Sequence, residues 1–226
     1  MNKSDFDSSL LAEFTAQDTL IAGVDEVGRG ALFGSVVAAA VVLPLWAIPQ
    51  LIALGVKDSK KLSPVKRQQL IQPIKDLVTG WQISSASVVE IDELNILQAS
   101  LLAMRRSVLN LPVTPNICLI DGNFLVPNLN LAQKTVVKGD LRSPIIAAAS
   151  ILAKVWRDEL ITDWADHYPE YDLARNKGYP TAKHRLAIAQ QGITPEHRRS
   201  FKSCNLNLVN SKQQKVETKT PDQELI

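Results

Sequence analysis

Apolar and polar positions alternate along this chain in blocks of two kinds, short apolar runs and longer stretches of helical spacing. Leu20–Glu26 (LIAGVDE) reads as a strand, and Ser35–Leu43 (SVVAAAVVL), rich in Val and Ala, as a second, largely buried one. Ser63-Pro64 pairs a capping residue with a first-turn proline and predicts a helix over Val65–Thr79 that stops at Gly80. Pro73 inside it is expected to kink or divide it. Trp81–Val89 carries an imperfect strand-like alternation. Asp92–Leu109 then reads as one helix, with apolar residues at Leu94, Leu97, Leu101, Leu102 and Met104. Ile117–Ile120 is a short strand ending at Asp121-Gly122, and Thr135–Val137 a brief one. Ser143-Pro144 opens a long helix reaching to about His167, and Lys183–Gln190 is helical. Strands first, then helices alternating with strands, then helices, predict an α/β layer arrangement in which helices cover a mixed sheet, with a small C-terminal helical lobe.

The boundaries expected from this pattern are a flexible segment over 1–17, a core over 18–170, a C-terminal helical extension over 171–203, and a polar, disordered tail over 204–226. No stretch approaches the roughly 20 apolar residues of a membrane helix, and the acidic N-terminus does not read as a signal peptide. Two cysteines make no disulfide framework, so a reducing, cytoplasmic location is expected. Apolar content of 46% and charged content of 21% are those of an ordinary globular chain.

The net charge of +2 conceals segregation. Residues 57–67 hold five Lys/Arg against one acid, and residues 175–202 hold seven against Glu196, whereas residues 1–26 hold six acids and one Lys. Separated positive charge suits a polyanion such as nucleic acid, though a solvated basic face would look the same.

Carboxylates stand where elements end. Asp25 and Glu26 close the first strand, Asp121 closes ICLID, and Asp158 lies within IIAAASILAKVWRDEL on a helix face of small and apolar residues. Carboxylates taken out of water cost several kcal/mol unless something pairs with them. Four oxygen-bearing side chains with no His or Cys beside them suit a hard cation, Mg²⁺ or Mn²⁺, rather than zinc. Two such ions can activate a water and stabilise the leaving oxygen in phosphodiester hydrolysis. The structural alternatives are that Asp158 pairs with Arg157 or Lys154 and that Asp121 begins a turn. His167, His184 and His197 fall outside the acids and read as structural or phosphate-adjacent.

Taken in order, GVDEVGRG (23–30), DSKKLSPVKR (58–67), EIDELNILQASLLAM (90–104), LIDG (119–122), KGDLRSPIIAAASILAKVWRD (138–158), NKGYPTAKH (176–184) and HRRSF (197–201) resemble the ribonuclease HII family, the type 2 ribonucleases H. The resemblance implies a ribonuclease H-like five-stranded mixed sheet flanked by helices, with a C-terminal helical extension. It implies a metal-dependent endonuclease that cuts the RNA strand of RNA/DNA hybrids and cuts 5′ of ribonucleotides embedded in duplex DNA, leaving 3′-hydroxyl and 5′-phosphate ends. The metal-holding acids would be Asp25, Glu26, Asp121 and Asp158, with two Mg²⁺ or Mn²⁺ ions in the active complex. Gly28, Arg29 and Gly30 would read the ribose 2′-hydroxyl, which distinguishes RNA from DNA, Tyr179 would stand at the RNA–DNA junction, and Lys60 would contact a phosphate. Without the resemblance, Gly-Arg-Gly is an ordinary turn and Tyr179 a surface aromatic. Arg142 stands where a Lys is commoner in the family, and KSCNLN follows HRRSF in place of a Pro-Val type continuation. The tail shows no clamp-binding peptide, and a monomer is expected. The competing readings are a DNA-directed nuclease of the same fold and a non-catalytic hybrid-binding protein.

Overall fold

A computed structural model describes residues 18–56 and 62–205. The expected 1–17 segment, most of the expected tail and Lys60 lie outside the described residues. The chain divides into two compact units, one holding residues up to Arg29 together with Ser35–Leu160, the other Gly30–Gly34 together with residues from Ile161 onward.

The first unit is built on a five-stranded sheet in the order β3-β2-β1-β4-β5. Its strands are β1 (Leu20–Val27), β2 (Val36–Pro44), β3 (Gly80–Ala86), β4 (Ile117–Asp121) and β5 (Ala132–Val136). β1, β2 and β3 pair antiparallel, while β1–β4 and β4–β5 pair parallel. Side chains alternate between faces along β2. Val37, Ala39, Val41 and Leu43 share a core with Leu70 and Ile74 of helix α2 (Pro64–Leu77) and with Ile145, Ile146, Ile151 and Leu152 of α6 (Pro144–Asp163). Helix α4 (Ile96–Leu109) also packs on β2 and β3. A strand covered on both faces must be apolar at every position, which is why the alternation expected of an exposed sheet is missing from VVAAAVVLP.

Several local expectations need correction. The stretch expected as one helix over Asp92–Leu109 is two, α3 (Val88–Leu94) and α4, broken at Asn95, whose φ of 70° leaves the helical region. The Asn95 side chain then accepts from the Leu97 and Gln98 N–H groups and caps α4. Helix α3 begins with a capping box between Ser87 and Glu90, so the strand expected to run to Val89 stops at Ala86. Helix α2 continues through Pro73 undivided. Three short helices, α1 (Ile48–Ala53), α5 (Gly139–Arg142) and α7 (Leu173–Asn176), had no expectation.

Gly23 in β1 sets the approach of α6. A Cβ there would lie 2.5 Å from both the carbonyl carbon and oxygen of Ile145. The strand and the helix therefore meet backbone to backbone, and Ala147, Ala148 and Ala149, which follow in the helix, are fully buried.

The second unit gathers Leu32, Phe33, Ile161, Tyr171, Leu173, Ala187, Ile188 and Cys204 into its own core, with α8 (Ala182–Gln191). Cys204, expected as the first tail residue, is thus packed. Both cysteines are buried thiols outside any disulfide, and burial pushes the Cys118 thiol up to about 12. Inside this unit His184 and His197 are fully buried, with their Nε2 atoms 3.1 Å apart. The Thr194 N–H donates to His197 Nδ1 (3.0 Å), so His197 carries its proton on Nε2 and donates it to His184 Nε2. His184 Nδ1–H in turn donates to the Tyr179 carbonyl (3.0 Å). Every ring nitrogen is satisfied only while both rings are neutral.

Burial holds both histidines below their usual range, and His197 falls to about 3. A group that protonates near 6.5 when unfolded and near 3 when folded contributes stability at neutral pH and loses it as pH falls between those values. At pH 5 His197 alone should lower stability by about 2 kcal/mol relative to neutral pH. The gap in urea midpoint between the wild type and His197→Gln should narrow steadily from pH 7 through 6 to 5; a gap that does not change with pH would contradict the neutral pair.

Candidate active site

Parallel pairing of β1 with β4 aligns Val24 with Ile120, so the residues that follow, Asp25 and Asp121, emerge side by side at the same sheet end. One ligand atom from each of Asp25, Glu26 and Asp121 lies within 4.8 Å of the others. Asp25 is only 4% exposed. Its Oδ1 accepts the Glu26 N–H at 2.7 Å, and the Ser150 hydroxyl donates to its carboxylate. Asp121 is held by the Gly139 N–H, 2.6 Å from its Oδ1, at the start of α5. Glu26 Oε1 accepts from Arg29 Nη1 at 3.0 Å, while its Oε2 is buried and has no hydrogen-bond partner among the described residues.

Burial, then the charges of Glu26 and Asp121, push the Asp25 carboxyl well above the usual carboxylate range, and Asp140 adds to this. Burial also raises Glu26, opposed by Arg29. Three crowded carboxylates, one with an orphaned oxygen, are a repulsive arrangement as they stand and a matched one for a hard divalent cation with oxygen ligands. The donor set fits such an ion.

Asp158 is not drawn into this group. Its Oδ1 accepts from Lys154 Nζ at 2.7 Å, one of the two pairings open from the sequence. It does share a face of α6 with Ser150 and Lys154, at steps of four residues. That spacing was the available signal for Ser150, which sequence reasoning passed over along with Asp140 and the Gly139 N–H.

Gly28 has a structural reason to be glycine. Its φ is +92°, and a Cβ would lie 2.1 Å from Nε of Arg157, which is fully buried and donates to the Ser35 carbonyl at 3.1 Å. Arg29 is exposed and pairs with Glu26. Gly30 and Tyr179 belong to the second unit. A Cβ on Gly30 would meet nothing within 4 Å among the described residues, so none of these requires a glycine there. Tyr179 is half-buried, its carbonyl accepting from His184.

Glu26 and Asp121 open into a cavity of about 230 Å³. Glu26, Asp121 and Arg29 form its polar side, and Leu97, Leu101 and Phe124 its apolar side. Among the described residues no helix is long and apolar enough to cross a membrane.

The family model for ribonuclease HII matches residues 22–204. Ribonuclease HII of Acaryochloris marina (strain MBIC 11017) is 62% identical over 189 residues, covering 84% of this chain and 96% of that protein. Among solved structures, ribonuclease H2 from Pyrococcus horikoshii OT3 superposes with a TM-score of 0.72 at 26% identity, covering 86% of this chain and 100% of that one. RNase HII from Archaeoglobus fulgidus, solved in a complex with PCNA, gives 0.64 at 27% identity, covering 79% and 91%. With a mixed five-stranded sheet, carboxylates converging at one end of it and a family match spanning nearly all the described residues, the chain belongs to the ribonuclease HII family.

Proposed function

We propose that Asp25, Glu26 and Asp121, joined by Asp158, form the centre at which this metal-dependent endoribonuclease hydrolyses the RNA strand of RNA/DNA hybrids and cuts 5′ of single ribonucleotides in duplex DNA. The observation that carries this reading is the three-carboxylate cluster within 4.8 Å, with its orphaned Glu26 oxygen. Mg²⁺ or Mn²⁺, two ions in the active complex, would supply water activation and neutralise charge on the leaving 3′-oxygen.

The chain's own groups do the positioning. Ser150 and the Glu26 N–H orient Asp25, and the Gly139 N–H fixes Asp121. Asp158 joins by exchanging its Lys154 partner for the centre, which leaves Lys154 as a cation beside the phosphates. Arg29, released from Glu26, meets substrate with the backbone of Gly28 and Gly30 against the 2′-hydroxyl. Tyr179 packs on the neighbouring sugar, and Lys60 contacts a phosphate. No covalent intermediate with the protein is required.

Two end-labelled duplexes, one all DNA and one identical but for a single ribonucleotide, test this with Mg²⁺ or Mn²⁺ present. One cut on the 5′ side of the ribonucleotide, absent with chelator and absent on all-DNA, is expected. Equal cutting of both would favour a DNA-directed nuclease, and binding without cutting a non-catalytic hybrid binder.

A further inference from the structure

A second cavity, of about 200 Å³, is lined by Gln98, Leu101, Arg105, Pro127 and Asn128 among others. It shares Leu101 with the cavity over the acids. Leu97, Leu101 and Arg105 recur every four residues, so they form one stripe along α4. The loop after β4 supplies the facing wall, with Phe124 over the first cavity and Pro127 and Asn128 over the second.

Two consecutive arginines on α4 have opposite fates. Arg106 is engaged: it donates to both carboxylate oxygens of Glu90, at 2.6 and 3.1 Å, and to the Ser85 carbonyl at 2.9 Å. Arg105 lines the second cavity, and among the described residues its Nε has no hydrogen-bond partner. A guanidinium carries five donors, and one at a cavity wall with no carboxylate beside it keeps donors for an acceptor that enters the cavity. No acid lines this cavity, and the planar guanidinium fork suits phosphate oxygens. Phe124, 53% exposed at the mouth of the first cavity, offers an apolar surface to a sugar or base between the two charged ends.

We propose that this groove, running from the acids past Leu101 to Arg105, is a subsite for the nucleic-acid strand flanking the cut, with Arg105 holding one of its phosphates. The proposal rests on the reading of the acids as the cutting centre. A free nucleotide or a protein partner fits less well, because the groove is continuous with that centre and only a strand would occupy both ends at once. Eight helical steps from Leu97, which lines the same cavity as Glu26 and Asp121, to Arg105 span about 12 Å, and one strand rises about 3.4 Å per nucleotide, so the phosphate held lies about three or four nucleotides from the cut.

The test uses Arg105→Gln and Arg105→Lys with the single-ribonucleotide duplex. Arg105→Gln should raise KM about tenfold with kcat unchanged, and should reduce the slope of log affinity against log salt, measured with metal chelated, by about 0.9. Arg105→Lys should keep the slope. Replacing single phosphates by neutral methylphosphonates should reveal one position, about three or four nucleotides from the cut, that weakens the wild type and does not weaken Arg105→Gln further. An unchanged slope in Arg105→Gln, or additive losses at every phosphate, overturns the subsite. If Arg105→Gln does not fold, the scan on the wild type decides, and no sensitive phosphate in that window overturns it. Failure of the wild type to cleave would instead sink the reading of the acids.

Discussion

Asp25→Asn should abolish cleavage, by at least about a thousandfold, and yet melt at a higher temperature than the wild type when metal is chelated. The two effects share a cause. Asp25 is buried beside Glu26 and Asp121, and its carboxyl is pushed well above the usual range, so ionising it at neutral pH opposes folding. Each unit of that displacement corresponds to about 1.4 kcal/mol, and for a chain of this size each kcal/mol moves the midpoint by about 2–4 °C. Asparagine keeps an acceptor for the Glu26 N–H and drops the charge. The sign follows from proton linkage: with its pKa raised by folding, this group gives the metal-free wild type stability as pH falls from neutral, and the variant lacks that component. Saturating Mn²⁺ should stabilise the wild type more than the variant and so narrow or reverse the gap. Paired thermal melts with chelator and with Mn²⁺, beside a cleavage assay, check all of this; a variant less stable than the wild type in chelator would refute the electrostatic account.

Gly23→Ala should be the most damaging single methyl in the first unit. The added Cβ would sit 2.5 Å from the Ile145 backbone, and backbone cannot swing aside as a side chain can. Overpacking of this kind costs about 3 kcal/mol or more, which predicts a midpoint about 10 °C lower or no folded protein at all. Gly30→Ala, whose Cβ would meet nothing within 4 Å, is the control and should melt with the wild type. A Gly23→Ala protein melting normally would mean that β1 and α6 separate easily, and the alignment of Asp25 with Ser150 would not be rigid.

The apolar strands and the starts of α2 and α6 were legible because their patterns are local, whereas α6 ends at Asp163, short of the expected His167. The apolar runs of β1, β2 and β4 and the Ser63-Pro64 start of α2 appear in the structure within a residue or two. The break at Asn95 was not legible, because ELNILQ keeps helical apolar spacing on both sides of a residue whose φ is positive. The capping box at Ser87 and Glu90 was written in the sequence as S-x-x-E but masked by the β-branched Val88-Val89 pair. At the site, the candidate acids could be picked out as strand ends, but not that β1 and β4 are parallel neighbours, which is what brings Asp25 and Asp121 together. Lys154 was foreseen as a partner for Asp158, whereas Ser150 looked like one more small residue in an alanine run.

Gly30–Gly34 belongs to the second unit although the rest of that unit begins at Ile161. Phe33 packs edge-on against Trp164, Tyr168 and His197, and the Gly34 carbonyl accepts from Arg198 Nε at 2.9 Å. During translation Phe33 therefore leaves the ribosome well before any of these partners exists. At about 5–20 residues per second it waits on the order of ten seconds, an apolar ring in need of shelter until the C-terminal helices arrive. The same threading makes the second unit a poor candidate for exchange between proteins: a gene fragment starting at Ile161 would encode its helices without the ring at their centre.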